Sequence, residues 1–468
     1  MVLCIEDENI LHDAPETDEL AQQLDLNRLR LLADEISRHV DVAASDELAR
    51  VKTATAALEL AGIVRPLGDT IMSWFGQISI VSAVKLFQHW GVFDAMPDEK
   101  GDSISYSELA GRVDVDESLL LRVSWMLTST HVLHHITTTT GDRVAHTPTS
   151  LQLRSAHPMA SMFQVMYNNI VEVSTILPSY FDTYGRQEPL GPSRVPVTFY
   201  AGRPELGYFD LLHQDPERVV LFARAMNIKL RRSPITEIYN DMSRLLQQAA
   251  KEPGRIAWVD VGGGNGNTLR IFRREYPELK AEKCVIQDLP EVVEAGKRAA
   301  ELDVGIDGEL RGVSWVPLDF HLESPVKGAL VYYLRHIFRD YSDPVAIQIL
   351  RNIRRSMVPP ATTTTTTTAA GNGNGNGNGN GNKDSHRRPA PSRVLISEQV
   401  IETPLSVYSA LVDFTMLAIG GKERTVDQFG AIAAGAGLAI TGIYRDKDTP
   451  NAVLELQVAI GDDDNVNT

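Results

Sequence analysis

The chain has 468 residues, 43% hydrophobic and 23% charged, which suits two or three folded units better than one core. A formal net charge of −16 with no Lys/Arg run argues against nucleic acid, since nothing would offset phosphate repulsion. Its two cysteines, Cys4 and Cys284, leave no disulfide framework or cysteine-based metal site and fit a reducing compartment.

The acidic N-terminus lacks the basic-then-apolar order of a leader, so a cytoplasmic location is expected. Leucines at helical spacing predict an amphipathic helix over 18–40. The most apolar segment, 71–96, is interrupted by Lys85, Gln88, His89 and Asp94. It is expected as a core helix, not a membrane span, with a stop at Gly91. Capped helices follow over 105–133, then two β-prone runs around a Thr-Gly-Asp turn predict a hairpin over 134–147. Helices followed by a hairpin form a winged-helix pattern. Its recognition helix, 119–130, is apolar with a single Arg122, which argues against DNA contact.

Residues 151–245 read as helical with aromatic and methionine-rich stretches. Most of these belong in a core, and a minority are expected to line an apolar ligand pocket. From 256 onward strands alternate with helices, which predicts a mostly parallel α/β sheet. A Thr run and Gly-Asn repeats at 361–390 interrupt it. This tract cannot bury apolar surface, so a disordered surface loop is expected, with 362–389 dispensable. The domains expected are 1–150, a helical linker 151–250, and 251–468.

The segment Trp258-Val-Asp-Val-Gly-Gly-Gly-Asn-Gly266 ends a strand and opens a helix at Asn267. Gly262, Gly263, Gly264 and Gly266 let the backbone approach a ligand and free N–H groups at the helix start. A glycine-rich turn also suits a dinucleotide, so three acids carry the distinction. Asp260, within the turn, would repel a pyrophosphate and attract an ammonium. Asp288 ends the next strand where an acid accepts ribose hydroxyls. Asp319 ends the third, with Phe320 beside it to cover an adenine. Each aspartate alone could be a cap or turn residue. Three at successive strand ends suit S-adenosylmethionine.

With these motifs, YYLRHIFRDYSD and GGKERTVDQF, the chain resembles the plant- and fungal-type small-molecule O-methyltransferases, the caffeic-acid O-methyltransferase-like group, over essentially its whole length. The resemblance implies a class I S-adenosylmethionine methyltransferase (Rossmann-like) domain preceded by an α-helical dimerisation and winged-helix domain, and a homodimer. It adds Arg335 to the cofactor contacts and no metal.

That family opens its His-Asp-Trp-Ser-Asp run with a catalytic base steered by two glutamates. Here the run reads Arg339-Asp340-Tyr341-Ser342-Asp343, while Glu398 and Glu423 match the glutamates. Arginine stays protonated and only donates, so Arg339 cannot be that base. Three readings stay open. One is a non-catalytic homologue. Another is O-methylation of a polyketide or phenol with His336 as base, a residue that packing would also explain. The third resembles the fungal O-methyltransferase-like pericyclases of 2-pyridone biosynthesis. There Arg339 polarises a carbonyl of a quinone methide or alkylidene pyridone, Asp340 orients the arginine or holds a substrate hydroxyl or amide, and S-adenosylmethionine is not consumed. The third is favoured, with His157 nominated as a further substrate contact, although a helix-start role would explain it as well.

Overall fold

The computed structural model describes residues 25–99, 101–139, 141–226, 236, 238–302, 308–323, 325–358, 389–403, 405–447 and 449–459. The chain divides into two compact units, Met1–Ser155 and Ala156–Thr468, so the stretch 156–250 falls in the second.

In the first unit, helices Leu26–His39 and Glu47–Val64 pack together and are tied by Arg28 to Glu59 at 2.6 Å. Asp25 and Asp46 cap them by accepting N–H groups of the first turn. The start of the 18–40 helix and Cys4 lie outside the described residues. Helix Leu67–His89 ends before Gly91, which adopts φ 69°. The expectation of a core helix fails here. Gly68–His89 is long and apolar enough to cross a membrane, with a mean hydropathy of 1.3, and only 17% of its apolar window is buried. Ile71, Met72, Trp74, Phe75 and Ile78 are exposed in this chain. Apolar composition predicted a buried face without saying what buries it.

Strands β1 (Ile104–Ser105), β2 (Leu133–Thr138) and β3 (Gly141–His146) form a small sheet in the order β1-β3-β2. β2 and β3 make the antiparallel hairpin expected from the turn residues. Before it stand helices Tyr106–Val113 and Glu117–Ser129, capped by Ser105 and Asp116.

The second unit is built on seven strands: β4 (Trp258–Val261), β5 (Cys284–Asp288), β6 (Ser314–Pro317), β7 (Val331–Arg335), β8 (Arg393–Gln399), β9 (Leu438–Arg445) and β10 (Asn451–Val458). Their order is β6-β5-β4-β7-β8-β10-β9, parallel as far as β8, with β10 antiparallel to both neighbours. The central strands are buried along their length because helices cover both faces, so they read as continuous apolar runs. Val259, Val261, Tyr332 and Leu334 face one core layer, and Trp258, Ile286, Val331 and Tyr333 face the other. Edge strand β9 escaped the sequence reading. It alternates buried and exposed positions and is interrupted by Gly442, which lies opposite a register shift in β10. Chain direction along the sheet reverses between β4 and β7. That places the carboxyl ends of β4, β5 and β7 around the crevice where such sheets bind ligands.

The Gly-Asn tract lies outside the described residues up to 388, but its two anchors do not. The Ser392 N–H donates to Val358 O at 2.9 Å, and the Val358 N–H donates to Ser392 Oγ at 2.8 Å. Because the ends already meet, replacing 362–388 by a short turn is expected to preserve cooperative unfolding. The shorter closure adds stability of roughly 1 kcal/mol. Thermal unfolding and S-adenosylhomocysteine binding of the shortened chain check this, and loss of either refutes it.

Candidate functional site

The glycine turn after β4 is shaped by contact. Gly262 has φ 71°, and a Cβ there would lie 2.6 Å from Ile337 Cδ1 and 3.5 Å from Phe320 Cε1. No side chain fits. Its N–H donates to Gln287 O, while the Gly264 N–H donates to Asp288 Oδ2 at 2.8 Å. Gly266 starts the helix Asn267–Glu275. Asp288 also accepts the Leu289 N–H at 2.8 Å, and Asp319 accepts the His321 N–H at 2.9 Å. Each carboxylate retains acceptor sites for a ligand, since a carboxylate offers about four. Phe320 is held in place by its carbonyl, which accepts from Asn352 Nδ2 at 2.9 Å.

Asp260 corrects one expectation. It is a β4 residue, not part of the turn, and its side chain is buried directly under Gly263. Among the described residues its Oδ2 has no hydrogen-bond partner, and neither do Nε and Nη2 of Arg335 at the end of β7, whose Nη1 donates to Thr268 Oγ1 at 3.4 Å. Burial, reinforced by Asp288, pushes the Asp260 carboxyl up to about 7, while Arg335 opposes this. A buried carboxylate oxygen and two guanidinium nitrogens left without partners among the described residues, beside a glycine turn, fit a ligand with an amino-acid end.

The loop after β7 carries the changed chemistry. Phe338–Asp340 forms a single 3₁₀ turn and Ile337 rests on Gly262, so this loop touches the glycine turn. Arg339 Nη2 lies 2.7 Å from Glu423 Oε1, not aligned as a hydrogen bond, a contact that becomes a full ion pair once Glu423 releases its proton; Glu423 is fully buried and Arg339 partly so. Glu398 does something else. It accepts the Phe338 N–H at 2.9 Å and lies 3.4 Å from His336 Nδ1. The two glutamates therefore divide, one on the arginine and one on a histidine. His336 is about a third exposed and sits at φ 53°, a strained conformation for a non-glycine residue. Burial lowers its pKa against the pull of Glu398, which favours the neutral imidazole.

The Gly-Gly-Lys-Glu-Arg-Thr run clamps this loop from behind. A Cβ on Gly421 would lie 2.8 Å from the Asp340 carbonyl carbon, and the Lys422 N–H donates to Arg339 O at 2.8 Å. Arg424, fully buried, donates to Phe338 O at 2.6 Å, Tyr341 O at 2.7 Å and Asp343 Oδ1 at 2.9 Å. Asp413 holds the Glu423 N–H at 2.8 Å, a contact the sequence reading missed because its helix, Val407–Ile419, carries no motif at that position. His157 stands elsewhere. It is an exposed N-cap whose Nδ1 accepts the Met159 N–H at 3.1 Å, the alternative role weighed for it from sequence.

Burial raises Glu423 to about 8 and Asp340 to about 7, in each case against Arg339. Glu398 faces both, and Asp413 and Asp340 also face Glu423. Above the ordinary 4.5 the unfolded chain has released the Glu423 proton, whereas the folded chain keeps it up to about 8. Stability from this group is therefore full at low pH and is lost as pH rises through that window. Glu423→Gln is expected to lose less stability than the wild type between pH 5 and 8 in urea unfolding. Equal losses would refute the assignment.

Comparison with known proteins gives the family and the fold. The model of an O-methyltransferase domain matches residues 199–363. The methyltransferase pynC of Aspergillus niger is 30% identical over 397 residues, covering 85% of this chain and 99% of pynC. The crystal structure of OxaC in complex with SAH (S-adenosylhomocysteine) and oxaline superposes with a TM-score of 0.73 at 23% identity, covering 92% of this chain and 98% of OxaC. A structure described as a pericyclic reaction enzyme gives 0.72 at 20% identity, covering 92% and 99%.

Proposed function

The chain belongs to the O-methyltransferase-domain family of methyltransferases, and we propose that it transfers a methyl group from S-adenosylmethionine to an acidic oxygen or nitrogen of a small secondary metabolite of polyketide or pyridone type. One observation carries this reading. The loop bearing His336, Arg339 and Asp340 lies directly on the glycine turn, through Ile337 against Gly262.

S-adenosylmethionine is the cofactor, and when bound it supplies an electrophilic methyl on a sulfonium. Asp260 and Arg335 take its amino-acid end, Asp288 its ribose hydroxyls, and Asp319 with Phe320 its adenine. Arg339, fixed by Glu423, holds the nucleophile in its ionised form. The proton it loses passes to the neutral imidazole of His336, which Glu398 steers. Such a transfer would form the nucleophile–carbon bond as the carbon–sulfur bond breaks, and would leave that electron pair on sulfur.

A second reading is favoured by the replacement of the family's base with a cation. In it Arg339 polarises a substrate carbonyl for a pericyclic step, and the cofactor only lends its charge. Incubation with S-adenosylmethionine and a panel of phenolic and pyridone substrates separates the two. Methylated product with one S-adenosylhomocysteine per turnover supports methyl transfer; isomerised product with the cofactor intact overturns it for the second reading.

The exposed apolar face of helix Leu67–His89 supports a homodimer, with a second copy as its cover. Light scattering is expected to give a dimer for the wild type and a monomer for Trp74→Glu/Phe75→Glu. A monomeric wild type would refute this.

A further inference from the structure

Tyr208 and Phe209 are consecutive residues of the helix Tyr208–His213, and they turn to different parts of the site. The Phe209 ring lies 6.4 Å from Tyr341 and 6.2 Å, edge-on, from Phe222 of helix Pro216–Met226. Tyr341 continues the train to His321 at 4.9 Å and Phe320 at 6.1 Å, both edge-on. Phe320 in turn borders the glycine turn at Gly262.

The helix also stands within electrostatic range of two strand ends. Burial lowers the His321 pKa and raises those of Tyr341 and Asp288; the Asp210 charge opposes the first and adds to the second, and the His213 charge opposes the third. On its other side, Tyr208 Oη accepts from Asn169 Nδ2 at 3.0 Å. Asn169 belongs to a π-helical turn, Tyr167–Val171, a local irregularity that often marks functional positions. The Asp340 charge reaches the Tyr208 hydroxyl.

We propose that Phe209 is a positioning residue of the cofactor site, coupling the Phe320 cover through Tyr341 to the helices Tyr208–His213 and Pro216–Met226. A base seated on Phe320 fixes that ring. The rings packed behind it cannot shift independently, because close-packed interiors transmit displacement. Cofactor occupancy then also bears on the helix that carries Tyr208, whose hydroxyl meets Asn169 of the π-helical turn. The coupling rests on the cofactor reading above.

The test uses the full chain and S-adenosylhomocysteine. In the wild type, ligand is expected to slow amide exchange across 208–226 as well as at 262–268, 288–289 and 319–321. Phe209→Ala is expected to weaken binding about tenfold by calorimetry and to abolish the added protection at 208–226. Phe209→Tyr, which keeps the ring, is expected to stay within about twofold. An unchanged Kd in Phe209→Ala, or wild-type protection confined to the three cofactor segments, overturns the proposal. Should Phe209→Ala not fold, the wild-type exchange pattern and Phe209→Leu decide. A wild type that binds no S-adenosylhomocysteine overturns the cofactor reading instead.

Discussion

Replacing Arg339 by methionine is expected to lower kcat by about two to three orders of magnitude while leaving the S-adenosylhomocysteine Kd within about twofold. The guanidinium is the cation fixed on the loop that touches the glycine turn, and no cofactor-binding group depends on it. Methionine matches its length and removes its charge, so Glu423 is left buried without a counter-ion and takes up a proton more readily. Arg339→Lys is expected to recover only part of the rate, because a single ammonium cannot hold Glu423 and a substrate oxygen in one plane. Arg339→His tests the same point differently, since it restores the family's residue but removes the permanent charge. Single-turnover kinetics with calorimetric binding check the set. A full rate in Arg339→Met would move the chemistry to other residues.

The second large effect concerns stability. Arg424→Met is expected to cost the second unit about 3–5 kcal/mol, because it removes a fully buried cation that binds Phe338 O, Tyr341 O and Asp343 Oδ1, and the Tyr341 N–H, 3.3 Å from Phe338 O, is a weak substitute. That corresponds to a fall in Tm on the order of 10 °C. Two of those acceptors, Phe338 O and Tyr341 O, bracket the Arg339-Asp340 pair, so activity is expected to fall before unfolding begins. Arg424→Lys is expected to resemble Arg424→Met, since it cannot reach three diverging oxygens at once. Thermal unfolding followed in parallel with activity checks both. A loss below about 1 kcal/mol would show that water replaces the arginine.

Much of the cofactor site was legible because its residues lie at strand ends within one short stretch each. The glycine turn, Asp288, Asp319 and Phe320 were placed by local pattern alone, and their contacts follow from strand order. Asp260 was placed one element too late, since a buried aspartate inside a strand breaks the rule that such residues mark turns. The glutamates were legible as a pair but not as a division of labour. Only distance shows that Glu423 serves Arg339 while Glu398 serves His336.

By itself, then, the sequence determined the α/β alternation, the cofactor turn, the three acids and the exchange of a base for Arg339. Each of these is written in residues near one another in the chain, where spacing translates directly into geometry. Tertiary structure decided what no local pattern carries. It left helix Leu67–His89 exposed where its composition predicted burial, and brought Phe209 to Phe320 through Tyr341. It also gave Arg339 its partner, 84 residues away on the far side of the insert. Partners brought together by folding over such separations are fixed by packing, and packing is a property of the whole core rather than of any segment.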